Sequence, residues 1–274
     1  MRNQMSKSSV TIALVPEIKQ GPWIYWHDLE TSIHKAAALG YDGVELFTAS
    51  AEAVDVSVLR TYLEKYSMRI SAVGTGAGKV IQGLTLTDPN PEIRQKAMDF
   101  IADMMAFGAQ FQAPAIIGSM QGNAGSDRAE SLAFLAKALR ELGVLALSLG
   151  VFLIYEPLNR YETNLFNRLE DAAQFLEDEG IQGVGLLADL FHMNIEESDI
   201  AESIRRNASW IRHVHFADSN RRPIGNGHTE MNSVAEALHE IRYDGYVSAE
   251  AIPWPDSDAA ATQTITAFNR YFKK

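Results

Sequence analysis

The feature that most constrains the fold is an alternation of short apolar runs and segments of helical length along the chain. The runs are rich in Val, Ile and Leu and show little polar alternation, as expected of parallel strands covered by helices. The eight runs are Val10–Val15, Gly43–Phe47, Arg69–Val73, Ala113–Ile117, Val151–Tyr155, Val184–Ala188, Ile211–Phe216 and Tyr246–Ala249. Eight strand–helix units favour an α/β fold of the closed (β/α)8 TIM-barrel type, with a doubly wound open sheet as the alternative.

The segments between the runs carry helix signals. Amphipathic stretches occur at Asp28–Leu39, Pro91–Phe107, Arg128–Leu149, Leu169–Glu179 and Ser233–Ile241. In the first of them, Asp28 is a candidate N-cap, and Gly40 is placed to end the helix. The chain has 274 residues, near the roughly 250 of a typical TIM barrel. Without a linker rich in Gly, Pro or Ser, we predict one barrel domain over residues 10–274, after a disordered or frayed tail over residues 1–9.

Composition excludes several kinds of site and partner. The chain has no cysteine, which rules out disulfides and thiolate metal ligands. No apolar stretch reaches signal-peptide or membrane-span length. The formal net charge is −11 and no dense basic run occurs, which disfavours a nucleic-acid partner. We therefore expect a cytoplasmic protein that binds neither membranes nor nucleic acid.

Four consecutive strands end on residues that can bind a metal ion. The fifth to eighth strands finish on Glu156, Asp189, His215 and Glu250, and the active site of a TIM barrel lies where its strands end. Three carboxylates crowded together without a cation would repel one another. The pattern predicts one divalent-metal site built from these four side chains. Three oxygens and one nitrogen suit Mn²⁺, Mg²⁺ or Co²⁺, with Zn²⁺ also possible.

A second set of polar residues follows these strand ends at short offsets. Glu162 lies six residues after Glu156, His192 three after Asp189, and Arg221 six after His215. We expect these side chains in the loops just above the metal, where they could hold sugar hydroxyls and the negative charge of an enediolate. The alternative is that His192 contacts only water and Arg221 forms a surface salt bridge.

The motifs that carry these residues resemble a known group of enzymes. Segments 156–162 (EPLNRYE), 189–197 (DLFHMNIEE) and 213–222 (HVHFADSNRR) are similar to those of the D-tagatose 3-epimerase and D-psicose 3-epimerase group. That group belongs to the xylose isomerase-like TIM-barrel superfamily of sugar isomerases and epimerases. The resemblance covers the chain from about residue 150 to its end. The first half matches only in its alternation of predicted strands and helices.

The resemblance implies a mechanism and site roles. It implies the metal quartet already predicted, Mn²⁺ as the first candidate ion, and a homodimer or homotetramer that acts on a small sugar. Glu162, His192 and Arg221 are implied as substrate contacts. Proton transfer beside a carbonyl would proceed through a cis-enediolate, with Glu156 and Glu250 as catalytic residues on opposite faces of the carbon.

Other functions use the same or a related site. The favoured prediction is ketose 3-epimerisation. An aldose–ketose or hydroxypyruvate isomerase could use the same four ligands, and so could a lyase of the inosose dehydratase type. An endonuclease IV-like nuclease would need additional histidines at the ends of strands two to four, and those ends offer none. A protein that only binds sugar would have no need for two metal-bound glutamates.

Weaker signals remain open. Glu45 ends the second strand. It could support a metal ligand from behind or pair with Arg160, and we favour a structural ion pair or hydrogen bond over direct binding of the metal. His213 lies one layer deeper than His215 on the same strand face, and we interpret it as a core histidine. The roles of loops 21–27 and 74–83 are undetermined. The former could cover a sugar with Trp23, Tyr25 and Trp26 or pack on the barrel rim, and the latter is rich in glycine.

Overall fold

Eight parallel strands pair in chain order and close on themselves in the computed structural model, which describes residues 6–273. A two-residue strand, β2 (Tyr25–Trp26), pairs with the upper part of the first strand. The barrel strands are β1 (Lys7–Leu14), β3 (Gly43–Thr48), β4 (Arg69–Gly74), β5 (Ala115–Ile117), β6 (Leu153–Tyr155), β7 (Val184–Asp189), β8 (Ile211–His215) and β9 (Tyr246–Ala249). Pairing of β1 with β9 closes the ring, so the predicted (β/α)8 barrel is confirmed and the open sheet is excluded.

Helices follow the strands and cover the outside of the barrel. They are α1 (Leu29–Leu39), α2 (Val56–Tyr66), α3 (Ala77–Gln82), α4 (Pro91–Ala109), α5 (Arg128–Ser148), α6 (Leu169–Asp178), α7 (Leu190–Glu196), α8 (Ile200–Arg206), α9 (Met231–Glu240) and α10 (Ser257–Phe272). The predicted ends of α1 are confirmed. Asp28 accepts a hydrogen bond from the Thr31 amide, and Gly40 has a φ of 84°, a left-handed conformation that glycine adopts without steric cost.

The first strand begins earlier than predicted. Residues 7–9, which we expected in a frayed tail, belong to β1 because Lys7 and Ser8 pair with Tyr246 and Val247 of β9. The Ser9 hydroxyl is buried and hydrogen-bonded to that of Ser71 at 2.6 Å. Because residues 7–9 are polar, the sequence gives no apolar signal for this part of β1, although its pairing with β9 completes the barrel. Ser6, also in the predicted tail, is buried and its hydroxyl donates to the Tyr243 carbonyl at 3.0 Å. Residues 1–5 lie outside the described residues.

The glycine-rich segment 74–83 is not a continuous loop. It contains α3, a helix of six residues that begins after Gly76 and ends at Gly83, which has a φ of 69°. Gly78 lies within this helix, and a Cβ there would meet the sulfur of Met120 at 2.7 Å. The glycines therefore allow a short helix to pack closely against the turn that follows β5, a role that their spacing alone does not reveal.

The barrel interior has an apolar side and a polar side. A cluster of Ala72, Ile116, Ile154 and Leu187 fills it from β4, β5, β6 and β7. The opposite side carries buried polar side chains from β1, β3, β8 and β9, namely Ser9, Thr11, Glu45, His213, His215 and Ser248. The polar side leads upward to the carboxyl ends of the strands, where the candidate site lies.

Candidate metal centre and active site

The four predicted metal ligands lie at the carboxyl ends of four neighbouring strands. Asp189 and His215 are the last residues of β7 and β8, and Glu156 and Glu250 directly follow β6 and β9. The Nδ1 atom of His215 is the centre of the group. It lies 3.3 Å from Asp189 Oδ2, 3.6 Å from Glu156 Oε1 and 3.7 Å from Glu250 Oε2. The barrel therefore brings all four side chains together.

The buried part of this group has the composition and spacing of a metal site. Single ligand atoms of Glu156, Asp189 and His215 all lie within 4.8 Å of one another. Glu156 Oε1 is buried and has no hydrogen-bond partner among residues 6–273, which is costly for a polar atom unless a ligand completes its contacts. Oxygen and imidazole donors fit a divalent ion. The residues present thus fit the predicted metal.

Asp189 has two separate tasks because its two oxygens point in different directions. Its Oδ1 caps α7 by accepting hydrogen bonds from the amides of Phe191 at 2.7 Å and His192 at 3.3 Å. Its Oδ2 faces His215. The helix cap therefore fixes the orientation of the carboxylate at the candidate metal site.

The electrostatics of the group are those of clustered acids around one imidazole. Burial raises the pKa of Glu156 to about 7, and the charge of Glu250 adds to the increase against the opposing effect of His215. Burial alone would raise the pKa of Asp189, but His192, His215 and Arg221 outweigh it and the pKa lies below its usual range. Burial alone would lower the pKa of His215, but Glu45 and Glu250 outweigh it and the pKa lies well above its usual range. The pocket is therefore built to hold positive charge.

Arg221 connects Glu250 to the predicted substrate contacts. Its Nη2 donates to Glu250 Oε2 at 2.7 Å, and its Nη1 lies 3.5 Å from Glu162 Oε1. The guanidinium also stacks over the ring of Phe191, 4.8 Å from its centroid. Arg221 has a φ of 59°, an uncommon conformation for a residue with a side chain. It is part of the site, and the alternative of an isolated surface salt bridge is excluded.

His192 lies in the first turn of α7 and not in a loop. It is buried beside the metal group, by which we mean the four predicted ligands Glu156, Asp189, His215 and Glu250. Its Nδ1 accepts a hydrogen bond from the amide of Asn159 at 3.2 Å, so the ring proton sits on Nε2. That atom lies 3.8 Å from Glu156 Oε1 and 3.7 Å from Asp189 Oδ2 and has no hydrogen-bond partner among the described residues. The alternative that this histidine contacts only water is wrong.

Glu45 and His213 form a layer beneath the metal group. The two oxygens of Glu45 contact His213 Nε2 at 2.7 Å and His215 Nε2 at 3.1 Å. Burial alone would raise the pKa of Glu45, but the two imidazoles outweigh it and hold the pKa below its usual range. Glu45 is a hydrogen-bonding partner, as predicted, but not of Arg160, which pairs with Glu196.

A cavity of about 200 Å³ opens above these residues. Its floor includes Glu156, His215 and Glu250, and Glu162 and Arg221 line one side. The aromatic residues that follow β1 have different positions. Trp23 lines the cavity and stacks on Phe47 with ring centroids 4.3 Å apart, whereas Tyr25 is buried and packs in the main core. This volume is below the roughly 300–1,000 Å³ of pockets for drug-sized ligands, so it suits a smaller molecule.

Gln121 and Gly118 are two of the supporting residues that were missed from the sequence. The side-chain amide of Gln121 donates to the Glu156 carbonyl at 2.9 Å and to that of Gly118 at 3.0 Å. A Cβ on Gly118 would lie 2.6 Å from Glu156 Oε2, so a larger residue at this position would displace the carboxylate. Neither residue stands at an offset from a strand end that would mark it. Asn159 lies within the EPLNRYE motif and could have been found there.

Comparison with known proteins identifies the family. The family described as "Xylose isomerase-like TIM barrel" matches residues 33–269. The chain belongs to this family. The D-psicose 3-epimerase of Enterocloster bolteae is 30% identical over 233 residues, which are 81% of this chain and 76% of that protein. The 3-dehydro-D-guloside 4-epimerase of Escherichia coli is 34% identical over 136 residues, 50% of this chain and 52% of that protein.

The fold of this xylose isomerase-like barrel matches a solved epimerase over nearly its whole length. The D-allulose 3-epimerase of Methylomonas sp. superposes with a TM-score of 0.82 at 21% identity and covers 98% of each chain. The family and these relatives confirm the resemblance to the ketose 3-epimerase group. They identify the chain as an enzyme of the sugar isomerase and epimerase class. No helix among residues 6–273 is both long and apolar enough to cross a membrane.

Proposed function

We propose that this enzyme is a divalent-metal-dependent ketose 3-epimerase. One observation carries the proposal. Oxygens of Glu156, Asp189 and Glu250 lie 3.3–3.7 Å from His215 Nδ1 at the floor of a cavity of about 200 Å³. The match to a D-psicose 3-epimerase and an L-ribulose 3-epimerase supports a ketose as substrate.

One divalent ion held by Glu156, Asp189, His215 and Glu250 would supply a Lewis acid for the substrate carbonyl, with Mn²⁺ as the first candidate. Glu156 would remove the proton from C3 on one face of the sugar. The electron pair of the broken C–H bond would form the C2–C3 double bond while the π pair of the C2 carbonyl moves to O2, which gives an enediolate. Glu250 would accept the proton of the O3 hydroxyl and return it to C3 on the opposite face, which inverts C3, while the proton on Glu156 would pass to O3.

The remaining site residues would orient the sugar. Glu162 and Arg221 line the cavity and offer an acceptor and donors to its hydroxyls. His192 belongs to the same proposed set because its Nε2–H has no hydrogen-bond partner among the described residues and faces the metal group. Among the residues that line the cavity, Arg221 is the only lysine or arginine, and it is already engaged by Glu250. This favours a free sugar over a sugar phosphate.

A second candidate is 4-epimerisation of a 3-keto-glycoside. The 34% identity to the Escherichia coli 3-dehydro-D-guloside 4-epimerase favours it, although it covers only half of each chain. The chemistry is closely related, since both reactions invert a carbon next to a ketone. The same two glutamates would act at C4 instead of C3.

Deuterium exchange separates these functions. The Mn²⁺-loaded enzyme is incubated in D₂O with free ketoses, their phosphates and a 3-keto-glycoside, and the products are analysed by NMR. We expect label at C3 of a free ketose. Label at C1 would indicate an aldose–ketose isomerase, label at C4 of the 3-keto-glycoside would favour the second candidate, and elimination of water would indicate a dehydratase.

Variants of the two glutamates test the residue roles. We expect Glu156→Gln and Glu250→Gln to abolish exchange, because a neutral amide cannot accept the proton, while circular dichroism shows the fold retained. Glu179→Gln is the matched control, since it breaks an ion pair with Arg140 at the surface and should keep full activity. Full activity in either site variant refutes the mechanism.

A further inference from the structure

The carboxylate of Glu45 contacts two histidine rings, which is more than one buried hydrogen bond in a protein core would require. Both oxygens of its carboxylate contact imidazole Nε2 atoms, His213 at 2.7 Å and His215 at 3.1 Å. All three side chains are at most 5% exposed. Because an ionised carboxylate only accepts hydrogen bonds, both Nε2 atoms must donate. The proton of His215 is thereby fixed on Nε2.

The consequence falls on the other nitrogen of the same ring. With its proton on Nε2, a neutral His215 presents the lone pair of Nδ1 toward Asp189, Glu156 and Glu250, at 3.3, 3.6 and 3.7 Å. A metal-binding histidine generally donates its remaining N–H to a carboxylate or carbonyl, which sets the tautomer and the ring orientation. Glu45 has this relation to His215 across the barrel interior.

The backbone explains how Glu45 reaches this position. β3 and β8 are not neighbours, because β1 and β9 lie between them in the sheet. Glu45 points into the barrel where the register of β3 against β4 shifts between Val44 and Glu45. Its side chain crosses the interior and meets two histidines on alternate positions of β8. His213 holds the second oxygen and so fixes the carboxylate itself.

We propose that Glu45 is a positioning residue that fixes His215 with Nδ1 as the metal-binding nitrogen, and that His213 anchors Glu45. This inference rests on the proposed function for the presence of the metal. The same three side chains could instead hold a second ion, since they also group within 4.8 Å. Direct contacts of 2.7 and 3.1 Å are ordinary hydrogen-bond lengths, and His213 does not line the cavity, which favours the hydrogen-bonded arrangement.

The test is a Mn²⁺ titration of the purified enzyme, in which the signal of free Mn²⁺ is followed by electron paramagnetic resonance. The unsubstituted enzyme should bind one ion per chain. In Glu45→Gln, the single amide oxygen can accept a hydrogen bond from only one of the two rings. We therefore expect a Kd for Mn²⁺ about 10- to 100-fold higher than in the unsubstituted enzyme, with one ion still bound at saturation. Ser71→Ala is the matched control. It removes a buried hydrogen bond to Ser9 in the same barrel and should leave the Kd unchanged.

Two further variants keep the inference testable. His213→Gln retains a hydrogen-bond donor for Glu45. Its Kd for Mn²⁺ should stay within about 3-fold of that of the unsubstituted enzyme, well short of the weakening expected when Glu45 itself is lost as a partner of His215. If Glu45→Gln does not fold, Glu45→Asp keeps the charge but is too short to reach both rings, and it should also weaken binding.

The outcomes are distinguishable. A Kd within 2-fold in both Glu45 variants overturns the positioning role. Two ions per chain in the unsubstituted enzyme, with one lost in Glu45→Gln, overturns it in favour of direct ligation. Absence of Mn²⁺ binding by the unsubstituted enzyme overturns both this inference and the proposed function. Normal Mn²⁺ binding without any sugar exchange refutes the proposed function alone.

Discussion

Substitution of Asp189 separates the metal site from the fold. Asp189→Asn keeps an oxygen that can cap α7, because asparagine is as good an N-cap as aspartate. It replaces the charged oxygen that faces His215 with an amide. Asp189→Ala loses both features. Since Oδ1 accepts from two amides and Oδ2 faces the metal group, the pair of variants measures the two tasks independently.

The magnitudes follow from these contacts. Loss of the cap costs about 1 kcal/mol, which lowers Tm by about 2–4 °C in a protein of this size range. At 100 times its Kd, a metal that binds only the folded state stabilises it by about 2.7 kcal/mol, or about 5–11 °C. Loss of a charged ligand should weaken binding at least about 100-fold, the upper end for partners of metal ligands. The remaining stabilisation is then about 0.4 kcal/mol.

Differential scanning calorimetry with and without Mn²⁺ checks both values. In chelator, Asp189→Ala should melt about 2–4 °C below Asp189→Asn. In Mn²⁺, the unsubstituted enzyme should gain several degrees and neither variant should gain more than about 1–2 °C. An undiminished Mn²⁺ effect in Asp189→Asn refutes Asp189 as a ligand. Equal melting of the two variants in chelator refutes the cap.

Two other substitutions test the supports of the site. Gly118→Ala places a Cβ 2.6 Å from Glu156 Oε2. A displacement of the carboxylate by about 1 Å should lower kcat about 100-fold. A near-normal kcat at saturating Mn²⁺ contradicts this expectation. Asp218 accepts hydrogen bonds from four backbone amides. Burial opposes them, but together they lower its pKa, so it stabilises the fold above the unfolded pKa of about 3.9. In urea unfolding, Asp218→Asn should cost about 2 kcal/mol above pH 4, and a cost that does not shrink below pH 4 contradicts the assignment.

The barrel and the grouping of Glu156, Asp189, His215 and Glu250 at one rim were predictable because both depend on a repeated local pattern. Strands buried on both faces are continuously apolar, and a polar residue that ends such a run stands out, as Glu156 and Asp189 do. Strand ends of a parallel barrel must meet at one rim, so the sequence positions alone imply a shared site. The strand ends share this rim whichever strands are neighbours.

The contacts across the interior were not predictable in the same way. The partner of Glu45 depends on barrel closure, which places β3 opposite β8 with two strands between them. Arg160 was a candidate partner from sequence, but its side chain is exposed and pairs with Glu196. The start of β1 was missed for a related reason, because the polar residues Lys7 and Ser8 become a strand only through pairing with β9. Local patterns do not encode such long-range pairings.

The charge of the proposed site explains why it suits an uncharged sugar. One divalent ion and the guanidinium of Arg221 would offset the three carboxylates of Glu156, Asp189 and Glu250, with His215 neutral. In the proposed reaction, Glu156 would lose its negative charge on taking the proton from C3 as the enediolate gains one. The total charge in the buried site would therefore stay constant, which avoids the cost of creating unpaired charge there. A phosphate on the substrate would add about two negative charges without a further lysine or arginine on the cavity wall to receive them.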